Sequence, residues 1–348
     1  MLKKFFQMFS NDIGIDLGTA NTLVYLKGHG IVINEPSVVV VNQKTGQIVA
    51  VGAEAKQMLG RTPGHVKAVK PIVDGVISDF EVAEEMITYL INKTERVSKK
   101  ILRPRVVIGV PTGITNVEIR AVEDAARSAG AREVYIIEEP MSAAIGIHLP
   151  VKEAMGSVIV DIGGGTTDVA VISLSGVVCS KNIKIAGDLL NGDIINYIKD
   201  EFKLLIGERT AENIKIAIAS VSESQALEAE VRGRDLVTGL PRQVIVTDTD
   251  IKEAIMPSIL SLVEGIKEVL ETTPPELLSD IIKNGLVLSG GGAMLRGLDG
   301  FLESALKIPV YVAEDSLTAV ARGAGVVLDE FETYKEVLLK TDEESISR

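Results

Sequence analysis

Two aspartates, Asp16 and Asp161, each stand at the end of an apolar run and just ahead of a turn of small residues. Ile13 to Gly28 reads IGIDLGTANTLVYLKG, and Val158 to Ser173 reads VIVDIGGGTTDVAVIS. Turns of this kind present clustered backbone N–H groups, and glycine lets a phosphate come close to them. Gly18, Thr19, Ala20 and Asn21 form the first turn, and Gly163, Gly164, Gly165 and Thr166 the second. A carboxylate opening each turn suits Mg²⁺ held largely through waters. Either turn alone is an ordinary hairpin. As a pair, at matching points of two similar stretches, they point to a grip on a triphosphate. Glu138-Glu139-Pro140 supplies further acids, after the apolar Val134 to Ile137 and before the helical Met141 to His148. A carboxylate at a strand's carboxyl end can orient a water for in-line attack, with positioning and electrostatics supplying the rest. The same two glutamates could instead cap the helix that follows.

Other chemistries are excluded. There is no GxxxxGK[ST], no GxGxxG opening a helix, no GxSxG and no HExxH. Cys179 is the only cysteine and reads as a small buried hydrophobe in a chain suited to a reducing cytoplasm; His29, His65 and His148 are scattered and form no zinc cluster.

The elements that must position these acids form a duplicated pattern. Asp16 and Asp161 are offset by 161 − 16 = 145 residues, and each half continues in the same order. Arg105 to Pro111 and Gly285 to Gly291 are each a strand running into a turn; Val134 to Ile137 and Val310 to Val312 are short strands followed by helices. The pattern predicts an α/β fold of two domains, with mixed sheets flanked by helices. Residues 31 to about 75 read as a small β-containing insert, and residues 188 to about 250 as a mainly helical one. The expected division is 11–148 plus 331–348 for the first domain and 149–330 for the second, around a central cleft. Ligands bind such units at the carboxyl ends of strands, so both turns should face that cleft.

The chain's 348 residues, 46% of them apolar, fill two cores rather than a disordered coil. A net charge of −12 argues against nucleic acid as a partner. No apolar run reaches the ~18 residues of a spanning helix. At the start, Leu2, Phe5, Phe6 and Phe9 share one helical face, with Lys3, Gln7 and Ser10 on the other. Ten helical residues reach only about 15 Å, enough to lie in a membrane interface; a terminal helix docked on the body is the alternative.

The blocks IDLGTANT, LGRTPG with PIVDGVISDF, IIEEPMSAAIG, VDIGGGTTDVAVIS, GERTAENIK, TPPELLSDI and LSGGGAMLRGLDG occur in this order. Together, from about Asp12 to Glu330, the chain resembles the MreB family of bacterial actin homologues. The resemblance implies an actin-like duplicated fold around a nucleotide cleft, with ATP and Mg²⁺ as cofactors. It implies phosphate contacts from the two turns, Mg²⁺-site acids at Asp16 and Asp161, and water activation by Glu139, with Glu138 as the fallback. It also implies a ribose or adenine contact by Glu212 and Lys215, although acids and bases three apart are commonly a solvated pair. Gly290, Gly291, Gly292 and Ala293 would pack against the adenine plane or form a strand-to-helix turn. The Asp74-Gly75 loop resembles actin's nucleotide-sensing region. Ile101 and Leu102, beside Lys99, Lys100 and Arg103, resemble the family's second membrane-inserting loop; a buried turn is the other reading.

The function so implied is a weak ATPase that polymerises into filaments on the cytoplasmic face of the cell membrane, guides wall synthesis and maintains rod shape. Its partners would be further copies of itself and cell-shape and wall-synthesis proteins such as RodZ and MreC. A sugar-kinase-like phosphotransferase is the alternative, and a chaperone ATPase would need a further domain. One departure stands out. The family usually has two acids in Gly187-Asp188-Leu189-Leu190-Asn191, and here the second is Asn191, which can accept a hydrogen bond but carries no charge, a departure that bears on the coupling of hydrolysis to filament state more than on ATP binding. Asp188 itself would serve as the N-cap of the next helix.

Overall fold

The computed structural model describes residues 11–97, 102–223 and 225–339. Strand Ile13–Leu17 sits at the middle of a five-stranded sheet in the order Glu133–Glu138, Arg105–Val110, Ile13–Leu17, Asn21–Leu26, Gly30–Pro36. The first three strands run parallel and the last two antiparallel. A second sheet repeats this with Val310–Val312, Leu286–Ser289, Ser157–Ile162, Thr167–Ser173 and Gly176–Ile183, again three parallel and two antiparallel. The duplication seen in the sequence is therefore a duplication of topology.

Alternation along the strands explains the layers. Ile13, Ile15 and Leu17 pack with Val82, Met86, Ile87 and Leu90 of the helix Phe80–Val97, covering the outer face of the first sheet. Gly14 faces the other way, where a Cβ would lie 2.8 Å from the Cβ of Ala324 in the helix Ala319–Asp329. In the second sheet Val158, Val160 and Ile162 join the outer core with the helices Gly187–Phe202, Glu208–Ile218 and Asp248–Thr272. Ile159, Ala170 and Ile172 point inward to the helix Glu139–Gly146.

Those two inner helices are crossed over. Glu139–Gly146 follows a strand of the first sheet yet packs on the second; Ala319–Asp329 follows the second sheet yet packs on the first. They meet at backbone distance. A Cβ on Gly146 would lie 2.0 Å from the Ala319 carbonyl oxygen, and one on Gly323 would lie 1.7 Å from that of Ser142. The Ser142 hydroxyl donates to the Val320 carbonyl at 2.8 Å. The helix Ala319–Asp329, expected within the second domain at 149–330, thus packs on the sheet of the first.

The inserts differ similarly in detail. Gly30–Pro36 belongs to the main sheet, so the first insert begins later than residue 31. It comprises a small sheet of Ile48–Val51, Val39–Asn42 and Val66–Val69, with the helix Ala53–Met58. The second insert carries the sheet Leu204–Leu205, Glu228–Asp235, Pro241–Thr247 beside its helices. Among the described residues no helix is long and apolar enough to cross a membrane. Leu2, Phe5, Phe6, Phe9 and Ile101 lie outside the described residues; Leu102 is half-buried.

Candidate functional site

Each strand that opens a half ends in its turn. In the first, Gly18 is confined by Asn21, whose carbonyl oxygen would lie 2.6 Å from a Cβ there. Ser37 braces this turn from behind: its hydroxyl donates to the Gly18 carbonyl at 2.5 Å and its N–H to that of Ala20 at 3.0 Å. Asn21 donates to Asn34 at 2.7 Å, so its amide is held by the sheet. In the second turn the Gly163 N–H donates to the Thr166 carbonyl at 2.9 Å. The turns touch. A Cβ on Gly164 would be 2.6 Å from that of Ala20, and one on Gly165 would be 2.6 Å from the Thr19 hydroxyl. The Asp74-Gly75 turn closes over them, with the Gly75 N–H donating to that hydroxyl at 3.0 Å.

Beneath the turns the acids converge. Asp16 keeps some exposed surface, yet burial of its carboxyl and the charge of Asp161 push it up to about 8. Asp161 is raised to about 6, chiefly by burial; the Ser289 hydroxyl, donating at 2.5 Å, works against the rise. Glu139 is buried and held well above the usual carboxylate range by burial and then by Asp168, Asp16 and Asp161. Glu138 is raised by burial and by Asp168 alone. Neither glutamate caps the helix through its side chain, so the capping alternative is not what the fold uses. The charges act in one direction around this cluster: Asp161 on Asp16, Asp168 on Asp161, and all three aspartates on Glu139. Such an acid cluster beneath the two turns fits a hard divalent cation and an oligophosphate, because oxygen donors and uncompensated negative charge are what Mg²⁺ satisfies. Among the described residues no three His, Cys, Asp or Glu are arranged to hold a metal directly.

Asp168 and Ser289 belong to this pocket although the sequence reading does not include them. Asp168 had a signal: it closes the GGGTTD stretch on the strand returning from the second turn. Ser289 is register partner to Asp161 across parallel strands, which no local motif reveals.

Around the rim the predicted residues are brought in, though not all as expected. Glu212 is paired with Lys56 of the first insert at 2.9 Å. Lys215 is largely buried, donates to the Gly187 carbonyl at 2.6 Å, and is lowered by that burial. The Gly187 and Asp188 N–H groups bond in turn to the carbonyls of Gly163 and Gly164, at 3.2 and 2.7 Å. Asp188 is not the N-cap, which is Ala186; its carboxylate meets Lys70 at 3.3 Å, and Lys70 also meets Glu208 at 3.1 Å. Asn191 is buried and its Oδ1 has no hydrogen-bond partner. Gly290 and Gly292 are pressed onto Ile162, where Cβ atoms would come within 2.4 and 2.2 Å. Their lack of side chains is thus set by packing of this strand-to-turn corner, with Gly291 and Ala293 carried alongside.

Two topologically equivalent sheets joined by crossed helices, with two touching turns above converging acids, define an actin-like nucleotide-cleft fold. Solved structures agree: MreB5 of Spiroplasma citri bound to ADP superimposes with a TM-score of 0.89 at 36% identity, covering 94% of this chain and 98% of that one. The same protein bound to AMPPNP gives 0.88. A chain of the MamK double helical filament, at 24% identity and a TM-score of 0.78, shares the fold. The family described as MreB/Mbl protein matches residues 10–336, and the chain belongs to it. Cell shape-determining protein Mbl of Bacillus subtilis is 52% identical over 92% of this chain and 97% of its own length. Cell shape-determining protein MreB of Escherichia coli is 53% identical over 94% and 96%. Membership of this family sets aside the sugar-kinase-like alternative.

Proposed function

We propose that this protein is an ATP-dependent, actin-like cell-shape protein that polymerises into membrane-associated filaments and hydrolyses ATP slowly. The observation that carries the reading is the contact of the two turns directly above the shared carboxyl pocket, since one triphosphate gripped there joins both halves. Thr19, Ala20, Asn21 and Gly163 to Thr166 receive the phosphates through backbone N–H groups. Asp16 and Asp161 would hold Mg²⁺, which would supply neutralisation of the charge that develops on the phosphates. Glu139 is the better base of the two glutamates. It is more deeply buried, and burial together with all three neighbouring aspartates strengthens its hold on a proton, the direction in which a general base is tuned. Glu212 and Lys215 face the ribose and adenine, with Gly290 to Ala293 along the base. The Lys215 bond to Gly187 links that end of the cleft to the second phosphate turn.

Self-association, attachment through Leu2, Phe5, Phe6, Phe9, Ile101 and Leu102, and a role beside wall-synthesis proteins such as RodZ and MreC complete the proposal. Weak single anchors become strong when a polymer links them, because linked sites raise effective concentration. The test is sedimentation of purified protein with anionic liposomes, with and without Mg-ATP, for the full chain and a variant lacking residues 1–10. Lipid-dependent pelleting with Mg-ATP, lost on truncation, is the expected result. A full chain that stays in the supernatant with liposomes under all conditions would sink the filament-on-membrane reading.

A further inference from the structure

The turn after the strand Arg105–Val110 carries no recognised motif, yet it touches both the Asp74-Gly75 turn and Asp168 of the second half. Pro111 lies under the Asp74-Gly75 turn, where a Cβ on Gly75 would come within 2.3 Å of the proline Cγ. The next residue, Thr112, reaches across to the second half. Its backbone N–H donates to Asp168 Oδ1 at 2.7 Å and its hydroxyl to the same oxygen at 2.6 Å. Asn182 adds its amide at 3.1 Å to each Asp168 oxygen. Thr112 is 3% exposed and Asp168 1%. Hydrogen bonds to an ionised group in such surroundings are short and strong. They favour the charged carboxylate against a burial that opposes it.

The strand leading into Thr112 is wedged against Glu139. A Cβ on Gly109 would lie 2.9 Å from Val320 Cγ1 and 3.4 Å from Glu139 Cγ. Interiors packed to this density transmit a displacement rather than absorbing it. An unbroken line of contact therefore runs from Asp168 in the second half, through Thr112 and Gly109, to Glu139 in the first.

We propose that Thr112 and Asp168 are a positioning pair for ATP hydrolysis: their cross-cleft bond holds the carboxyl end of the first sheet against the second phosphate turn and fixes where Glu139 sits relative to the phosphates. This rests on the nucleotide-cleft reading above. The pair acts through Glu139.

The test compares wild type with Thr112→Val, which keeps the shape and removes the hydroxyl donor, and Thr112→Ser, which restores it. Three quantities are measured: affinity for a fluorescent ATP analogue, melting temperature without nucleotide, and single-turnover phosphate release. For Thr112→Val, affinity should stay within about twofold while release falls roughly tenfold or more, the scale of one lost bond to a charged group. Thr112→Ser should recover to within about threefold of wild type on that same scale. Thr112→Ala, which also lacks the hydroxyl and leaves the Asp168 charge in place, reports on the same bond should Thr112→Val fail to fold, and should show the same split. Wild-type release in Thr112→Val or Thr112→Ala overturns the proposal. So does a parallel loss of affinity and melting temperature that Thr112→Ser does not rescue, since that is a structural contact only. A wild type that binds no ATP analogue fails earlier, at the nucleotide cleft itself, and is distinguishable for that reason.

Discussion

The two halves share a strand order, yet their equivalent acids sit in unlike surroundings. Asp161 has Ser289 as its register partner, and Asp16 has Gly109. A hydroxyl therefore supports the second acid and nothing equivalent supports the first, which is why burial and repulsion carry Asp16 to about 8 but Asp161 only to about 6. Gly109 cannot carry a side chain because Glu139 and Val320 occupy that space. The place filled by a serine hydroxyl in one half is given over to the water-activating candidate in the other. After the corresponding strand of the second half, Val310–Val312, the chain reads Ala313-Glu314-Asp315 with no buried acid at the first position. A duplicated fold has thereby become an asymmetric site, with a serine hydroxyl beside the acid of one half and Glu139 packed behind the equivalent strand of the other.

This asymmetry is open to direct challenge. The largest effect is expected from Glu139→Ala, which should keep ATP yet slow single-turnover phosphate release by roughly a hundredfold or more, the usual scale for a general base. Unchanged release would remove Glu139 as the water-activating candidate. Ser289→Ala makes the second half resemble the first by deleting the donor to Asp161. Affinity for Mg-ATP, read by titration calorimetry, should weaken by roughly tenfold, as for one hydrogen bond to a charged group. An equal loss in affinity for ATP without Mg²⁺ would show that Ser289 serves the turn and not the acid.

The smallest effect concerns stability without ligand. An acid raised on folding binds its proton more tightly in the folded chain, so stability falls as pH climbs from the ordinary value of 3.8 towards the folded one. Replacing it with an amide removes that loss. Asp16→Asn should therefore melt above wild type by a margin that widens from pH 4 up to about pH 8. For Asp161→Asn the margin should level off at about pH 6. At pH 8 the gain for Asp16→Asn should exceed that for Asp161→Asn. Equal margins for the two variants across this range would erase the difference between the halves.

Much of this arrangement was legible beforehand because it is local. The Asp-Gly turns, the Glu-Glu-Pro junction and the repeated strand order are short patterns, and the structure places each where the repeat requires. What failed to be legible was non-local. Helix Ala319–Asp329 has small residues at Ala319, Ala321, Gly323, Ala324 and Gly325, but nothing in the chain says which sheet it will meet. Asp188 has the spacing of a helix cap, and the fold pairs it instead with Lys70, far away in sequence. Glu212 has the spacing of a local pair with Lys215, yet Lys56 and the Gly187 carbonyl take their places as partners. Asn191 is legible as a missing charge, and only the fold shows its oxygen buried and unpartnered.

The sequence by itself determined the two phosphate turns, the acids that open them and the α/β repeat, since hydrophobic alternation and turn chemistry act over a few residues and need no distant partner. Tertiary structure alone decided that Thr112 grips Asp168, that Ser289 supports Asp161 while Gly109 yields to Glu139, and that the inner helices exchange sheets. Those outcomes depend on strand register and on close packing between segments far apart in the chain, 56 residues for Thr112 and Asp168 and 128 for Asp161 and Ser289, and such contacts exist only once the chain has folded.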